Sequence, residues 1–241
     1  MKDAILKYLE RHGFRQFCPK AVLFDMDGVL YNSMPRHAIS WHDSMASFGL
    51  NIPYDGAYRY EGMRGVETIK LLARQQWHRE LSDDEAQQMY KIKSEYFNRL
   101  PAPQKMKGIN SLMQQIKDDG LKICIVTGSG QHSLLDQLET AFKGKVHRDL
   151  IVTSYDVQHG KPAPDPYLMG MQKAHVEPWQ SIVVENAPLG IKAAVAARCF
   201  TIGVNTGPLP DTELSEAGAN LILPSILQLS RCWKELIQQA R

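Results

Sequence analysis

Four short apolar runs constrain the fold of this chain more than any other feature of its sequence. AVLF (21–24), KICIV (122–126), DLIVT (149–153) and SIVV (181–184) each give way to polar or glycine-containing residues, and a fifth, CFTIGV (199–204), ends before Asn205. Runs of this length, rich in Val and Ile, suit strands buried on both faces. Between them lie longer stretches with helical spacing: GINSLMQQIKDDG, SLLDQLETAF, DPYLMGMQKAHV and LGIKAAVAAR. Strand alternating with helix predicts an α/β fold built on a doubly wound parallel sheet. In such sheets ligands bind beyond the carboxyl ends of the strands. The polar residues that follow the runs fall at those ends.

Residues 34–100 break the alternation. They read as successive helices: SMPRHAISWHDSMASFG, then GVETIKLLARQQW, then a third beginning near Ser82. Ser82-Asp83-Asp84-Glu85 matches a capping box, in which serine bonds forward to a backbone N–H and glutamate reaches back. Pro101 and Pro103 end the helical stretch. The expected division is a core of 1–33 and 101–241 with a helical bundle, 34–100, inserted after the first strand. Within the core, residues 1–20 form an N-terminal extension, where Ile5, Tyr8 and Leu9 recur at helical spacing.

Composition excludes several function classes. Of 241 residues, 44% are hydrophobic and 22% charged, with a net charge of +2, the balance of an ordinary globular protein. Lysines and arginines form no dense run, so nucleic-acid binding is not expected. Cys18, Cys124, Cys199 and Cys232 are widely spaced, which argues against a disulfide framework or a zinc site and for a cytoplasmic protein. The N-terminus lacks the apolar core of a signal peptide, and no stretch is long enough for a membrane span. A monomer is expected.

The chemistry gathers at the strand ends. Asp25 and Asp27 follow the first run, and residues at i and i+2 of an extended segment point the same way. Two carboxylates that close repel unless a cation or a shared proton intervenes. A hard divalent ion such as magnesium answers that for phosphate substrates. One carboxylate can then attack phosphorus while the other manages a proton. Taken alone, DxDG is better explained by a pair of solvated turn aspartates. The other strand ends change the balance. Thr127, Gly128 and Ser129 offer hydroxyl and backbone N–H groups suited to phosphate oxygens, Lys161 sits in a proline-stiffened loop, and Glu185 with Asn186 supplies further oxygen ligands.

Together FDMDGVL, IVTGSG, GKPAPDPY and VVENAPLGI resemble the haloacid dehalogenase superfamily of phosphohydrolases, in particular its β-phosphoglucomutase-like group with a helical cap. The resemblance implies a Rossmann-like core and magnesium as cofactor. It implies Asp25 as the nucleophile that forms an aspartyl-phosphate and Asp27 as general acid/base. Thr127 and Lys161 would hold the phosphoryl group, with Gly128 and Ser129 beside it, and Asp25, Asp27, Glu185 and Asn186 would form the metal site. The family's fourth motif more often has a second acid where Asn186 stands, which removes one negative charge from that site.

The cap segment speaks to substrate. In mutase-like members, the stretch that reads YEGMRGVET here presents a lysine and an arginine, where this chain has Glu61 and Gly65. A carboxylate facing a phosphate dianion is repulsive unless a metal lies between, so Glu61 argues against a sugar bisphosphate. Tyr90 and Lys93, three apart on one helix face, and His37 are candidates for the substrate's remote end. The phrases FDMDGVL, NSMP, ENAPLG and VNTGPL resemble a branch that includes an inorganic pyrophosphatase. The leading expectation is hydrolysis of pyrophosphate. The alternatives are a sugar-phosphate phosphatase or β-phosphoglucomutase-type mutase, and a non-catalytic phosphate-binding protein with a weakened metal site.

Overall fold

The computed structural model describes residues 1–128 and 132–240. Helix α1 (Lys2–His12) leads into strand β1 (Ala21–Phe24). Helices α2 (Met34–Ala46), α3 (Gly65–Trp77) and α4 (Asp83–Arg99) follow, with a 3-10 turn over Gly56–Tyr60. The chain then alternates through α5 (Ile109–Asp118), β2 (Lys122–Val126), α6 (His132–Ala141), β3 (Ile151–Val152), α7 (Asp165–Ala174), β4 (Ser181–Glu185) and α8 (Pro188–Ala196). It closes with β5 (Phe200–Val204), α9 (Asp211–Glu216), β6 (Leu221–Leu223) and α10 (Ile226–Ala240).

All the strand pairings are parallel, in the order β3-β2-β1-β4-β5-β6. The order reverses between β1 and β4, the switch point at which a doubly wound sheet opens a crevice. The fold class is therefore the one the apolar runs predict. Strands this short hold because both faces are covered. Val22, Phe24, Ile123, Ile125, Ile182 and Val184 face a cluster with α1, α5 and α10, where Trp233 and Tyr8 are fully buried. Ala21, Leu23, Cys124, Val126 and Val183 face Tyr167, Met171 and Ala194 of α7 and α8. Cys124 is a small buried hydrophobe, and its thiol is pushed up to about 12 by burial.

Helices α2 to α4 stand apart from this sheet, with their own apolar cluster around Trp41, Met45, Ile69, Leu72 and Met89. The capping box forms: Ser82 Oγ accepts from the Glu85 N–H at 3.2 Å, and Glu85 Oε2 accepts from the Ser82 N–H at 2.9 Å. Helix α1 buries Ile5 and Tyr8 and ends at Gly13, whose φ of 67° suits glycine. Periodicity in isolation did not signal β6 or α9, each short. Among the described residues, no helix is long and apolar enough to cross a membrane.

Candidate active site

Parallel register brings the first and fourth motifs together. Phe24 pairs with Val184, and the Asp25 N–H donates to the Val184 carbonyl at 3.0 Å, so Asp25 leaves the sheet beside Glu185. Lys161 enters between them from the loop before α7. Its Nζ lies 2.5 Å from Asp25 Oδ1, 2.7 Å from Glu185 Oε1 and 3.3 Å from the Val126 carbonyl, and the residue is 1% exposed. Thr127 is buried at the end of β2, where its N–H donates to the Val152 carbonyl at 2.9 Å. Gly128 lines the chamber above Asp25. Ser129 lies outside the described residues.

Glu185 is used differently from the sequence expectation. Its Oε1 accepts from Lys161 and from the Tyr167 hydroxyl at 2.9 Å, and its Oε2 accepts from the N–H groups of Asn186 and Ala187 at 2.9 and 3.1 Å. Four donors thus occupy both oxygens, and the carboxylate anchors Lys161 instead of facing the chamber. Gly190 makes room for it, since a Cβ there would sit 1.7 Å from Glu185 Oε1. Tyr167 stands in the GKPAPDPY motif, where its residue type alone signals no such role.

Asp27 carries a chain of partners. Its Oδ1 accepts from Ser33 Oγ at 2.5 Å and lies 3.2 Å from His37 Nε2. The other ring nitrogen of His37, Nδ1, is 2.7 Å from Lys93 Nζ. When Lys93 is the ammonium it only donates, and Nδ1 then accepts while Nε2 carries the proton that bonds to Asp27. Burial, followed by the Lys93 charge, holds His37 below its ordinary value, which agrees with a neutral ring. Burial would raise Asp27, but its contact with His37, the hydrogen bond from Ser33 and the Lys93 charge outweigh it and hold the carboxyl at about 2. Lys93, 3% exposed, is lowered to about 7 by burial. His37 and Lys93 therefore bear on Asp27 itself. Ser33 carried no chemical signal in the sequence beyond its nearness to the motif.

Glu61 closes the site from the 3-10 turn. Its Oε1 accepts from Asn186 Nδ2 at 2.8 Å, and Asn186 Oδ1 is buried without a partner among the described residues. Gly28, at φ 77°, lets this pair approach the aspartate loop: a Cβ there would lie 2.2 Å from Asn186 Nδ2 and 3.1 Å from Glu61 Oε1. Burial and then the Asp25 charge raise Glu61 well above the ordinary carboxylate range. Burial also pushes Asp25 up to about 8, opposed by Lys161 and reinforced by Glu185 and Asp27. Among the described residues, no three His, Cys, Asp or Glu side chains already surround a common metal position. The donor set still fits a hard cation. Asn186 offers an orphaned oxygen, and the carboxylates of Asp25, Asp27 and Glu61 crowd a site whose one bonded ammonium at Asp25 is shared with Glu185.

A chamber of about 1030 Å³ opens from Asp25 and Asp27 past Glu61, His37, Trp41, Tyr90 and Lys93. The Tyr90 ring lies on Gly65, where a Cβ would be 2.0 Å from Cε2. An arginine at 65 would displace that ring.

A family model described as haloacid dehalogenase-like hydrolase matches residues 22–204. The chain belongs to the haloacid dehalogenase-like hydrolases. It is similar to hexitol phosphatase A of Escherichia coli K12, 27% identical over 213 residues that make up 88% of this chain and 93% of that protein. A phosphorylated carbohydrates phosphatase of Thermotoga maritima is 26% identical over 201 residues, 83% of this chain and 92% of that one. A solved structure from Bacteroides vulgatus, provisionally named a beta-phosphoglucomutase, is 44% identical, covers 99% of this chain and 97% of its own, and superposes with a TM-score of 0.95. This hydrolase is a phosphatase by class. Its Asp25, Lys161 and Glu185 meet at the switch point of the sheet.

Proposed function

We propose that this phosphatase hydrolyses small phosphate monoesters, sugar and polyol phosphates foremost, through an aspartyl-phosphate on Asp25. One observation carries the reading: Asp25 faces the chamber with Lys161 at 2.5 Å, while the carboxylate two residues on is fixed by Ser33 and His37. The phosphatase relatives support the substrate class. So does a chamber much larger than a bare phosphate anhydride needs.

In the first step an Asp25 oxygen attacks phosphorus, the bond to the leaving oxygen breaks, and Asp27, ionised in the free protein, passes to that oxygen a proton it takes up from solvent as the substrate binds. In the second, water attacks the aspartyl-phosphate while Asp27 takes its proton, the task that its depressed carboxyl suits in the resting state. Lys161 holds its charge beside the transferring group throughout. Magnesium, held by Asp25, Asn186 and Glu61 with Asp27 beside them, would neutralise charge on the phosphate oxygens. Helices α2 to α4 act as a cap that shields the reaction from water.

A mutase reading needs cations for a second phosphate in the segment before α3, and there the chain has Glu61 and Gly65 beneath the Tyr90 ring, while Lys93 across the chamber is bonded to His37. Pyrophosphate remains the second reading, because Glu61 beside Asn186 favours a substrate that arrives with a cation. The deciding experiment is a turnover panel of hexose phosphates, polyol phosphates, glucose 1-phosphate and pyrophosphate, with magnesium and with a chelator. Release of phosphate from sugar or polyol phosphates supports the proposal. Turnover of pyrophosphate alone transfers it to the second reading, and bisphosphate-dependent isomerisation of glucose 1-phosphate overturns both.

A further inference from the structure

The two places where the chain passes between the sheet and helices α2–α4 are joined by one side chain. Arg36 lies in the first turn of α2, where a cation gains nothing from its own helix dipole. Its guanidinium instead reaches the end of α4: Nη2 donates to the carbonyls of Phe97 at 2.8 Å and Leu100 at 2.9 Å. Carbonyls in the last turn of a helix have no partner within it, and a cation there is favourable. Among the described residues Arg36 forms no ion pair with a carboxylate; it donates to these carbonyls and lies on the Phe97 ring, 4.1 Å from Cζ to centroid, and its charge is also felt at Asp27 and His37.

Phe97 is a shared surface. On it lie the guanidinium of Arg36, the His37 imidazole at 4.3 Å between centroids and 32° between planes, and the Lys93 ammonium at 4.9 Å. His37 and Lys93 are the two groups that lead to Asp27. A side chain that fixes Phe97 therefore fixes the floor on which they rest. A flat, delocalised cation suits this use, because it can stack on a ring while it donates in its own plane.

From these contacts we infer that Arg36 is a positioning residue for proton delivery, acting through Phe97 on His37 and so on Asp27. It touches neither Asp27 nor the reacting phosphorus. It ties the end of α4 to the start of α2, so that the imidazole meets the carboxylate only when both connections are in place. The inference rests on the monoester reading above for its kinetic signature, while the stack itself is read separately.

The test compares Arg36→Gln with wild type on glycerol phosphate, whose alkoxide leaves only with a proton, and on p-nitrophenyl phosphate, whose phenolate leaves without one. With Arg36→Gln, kcat on glycerol phosphate should fall at least ~10-fold, a fraction of what general acid catalysis contributes, and fall much less on p-nitrophenyl phosphate. KM should move little. Arg36→Lys should recover only part of the loss, since one ammonium cannot both span the two carbonyls and lie flat on the ring. The His37 ring protons, shifted in the NMR spectrum by the Phe97 ring current, should move toward their free values in Arg36→Gln. Phe97→Leu keeps the two carbonyl bonds and should reproduce the substrate signature, so it decides the matter if Arg36→Gln does not fold. Equal losses on both substrates, or a His37 resonance that does not move, would overturn the inference. Should wild type turn over neither ester, the monoester reading fails, and the His37 resonance still decides the role of Arg36.

Discussion

Glu61 accepts a hydrogen bond from Asn186 Nδ2 across 2.8 Å, although 125 positions separate the two in the chain. One residue comes from the turn before α3 and the other from the end of β4, so this contact seals the helical segment onto the sheet. Glu61 is also at odds with its surroundings, as a buried carboxyl beside Asp25.

Magnesium binding should release protons. Burial raises the Glu61 carboxyl well above its ordinary value, so the metal-free protein keeps that proton where an exposed glutamate has lost it. A cation requires the ionised form. Affinity for magnesium should therefore rise as pH increases through that raised value. Calorimetric titration in two buffers of different ionisation enthalpy would show the linked protons, and Glu61→Gln should reduce them. Identical heats in both buffers would sink the prediction.

Removal of Lys161 should damage stability as well as rate. Its buried ammonium bridges Asp25 and Glu185, so Lys161→Met leaves two buried carboxyls without their cation. Breaking such a pair costs about 3–5 kcal/mol, reduced to the extent that the orphaned groups take up protons. Urea unfolding should show the loss at pH 7.5 and a smaller one at pH 5. Asp25→Asn, by contrast, should fold normally and lose kcat by more than about 10³-fold, in keeping with loss of a nucleophile.

The contact between Gly65 and Tyr90 should control what the chamber admits. In Gly65→Ala, a Cβ 2.0 Å from the Tyr90 ring must push it aside. We expect KM for the preferred monoester to change several-fold while the transition for unfolding moves by about 1–3 kcal/mol, the usual cost of overpacking. An unchanged KM would show that the Tyr90 ring does not border the bound substrate.

Acid should weaken the region under β3 through Asp156. Burial works against its carboxylate, but hydrogen bonds from Lys173 Nζ at 2.7 Å and from the Thr153 N–H and hydroxyl at 2.8 Å prevail and hold it below the ordinary value. A carboxyl depressed on folding adds stability above its unfolded pKa, and that stability fades as pH falls through the folded value. Asp156→Asn should therefore be about 1–2 kcal/mol less stable than wild type at pH 7, with the difference shrinking below pH 4. A difference independent of pH would assign the cost to packing.

Much of this arrangement is legible in the chain itself. The strand cores announce themselves because a strand covered on both faces must be apolar at every position, as Val22, Leu23 and Phe24 are. The ends of those strands locate Asp25, Thr127 and Glu185, since a parallel sheet turns polar only where it opens. Strand β6 and helix α9 were not legible because each is short, at three and six residues. The expected role of Glu185 changed for a different reason: its four donors, among them Tyr167 Oη and Lys161 Nζ, arrive from other elements.

By itself, then, the sequence determined the α/β architecture, the family and the aspartate at the centre, because each depends on local pattern and on motifs at strand ends. Only the tertiary structure decided which partner each charged group meets. His37 turned out to serve Asp27, Lys93 to serve His37, Arg36 to grip the end of α4, and Glu61 to meet Asn186. The physical reason is that a side chain's charge is written in its residue type, whereas its partner is set by a distance of about 3 Å, and folding alone creates such distances between segments far apart in the chain.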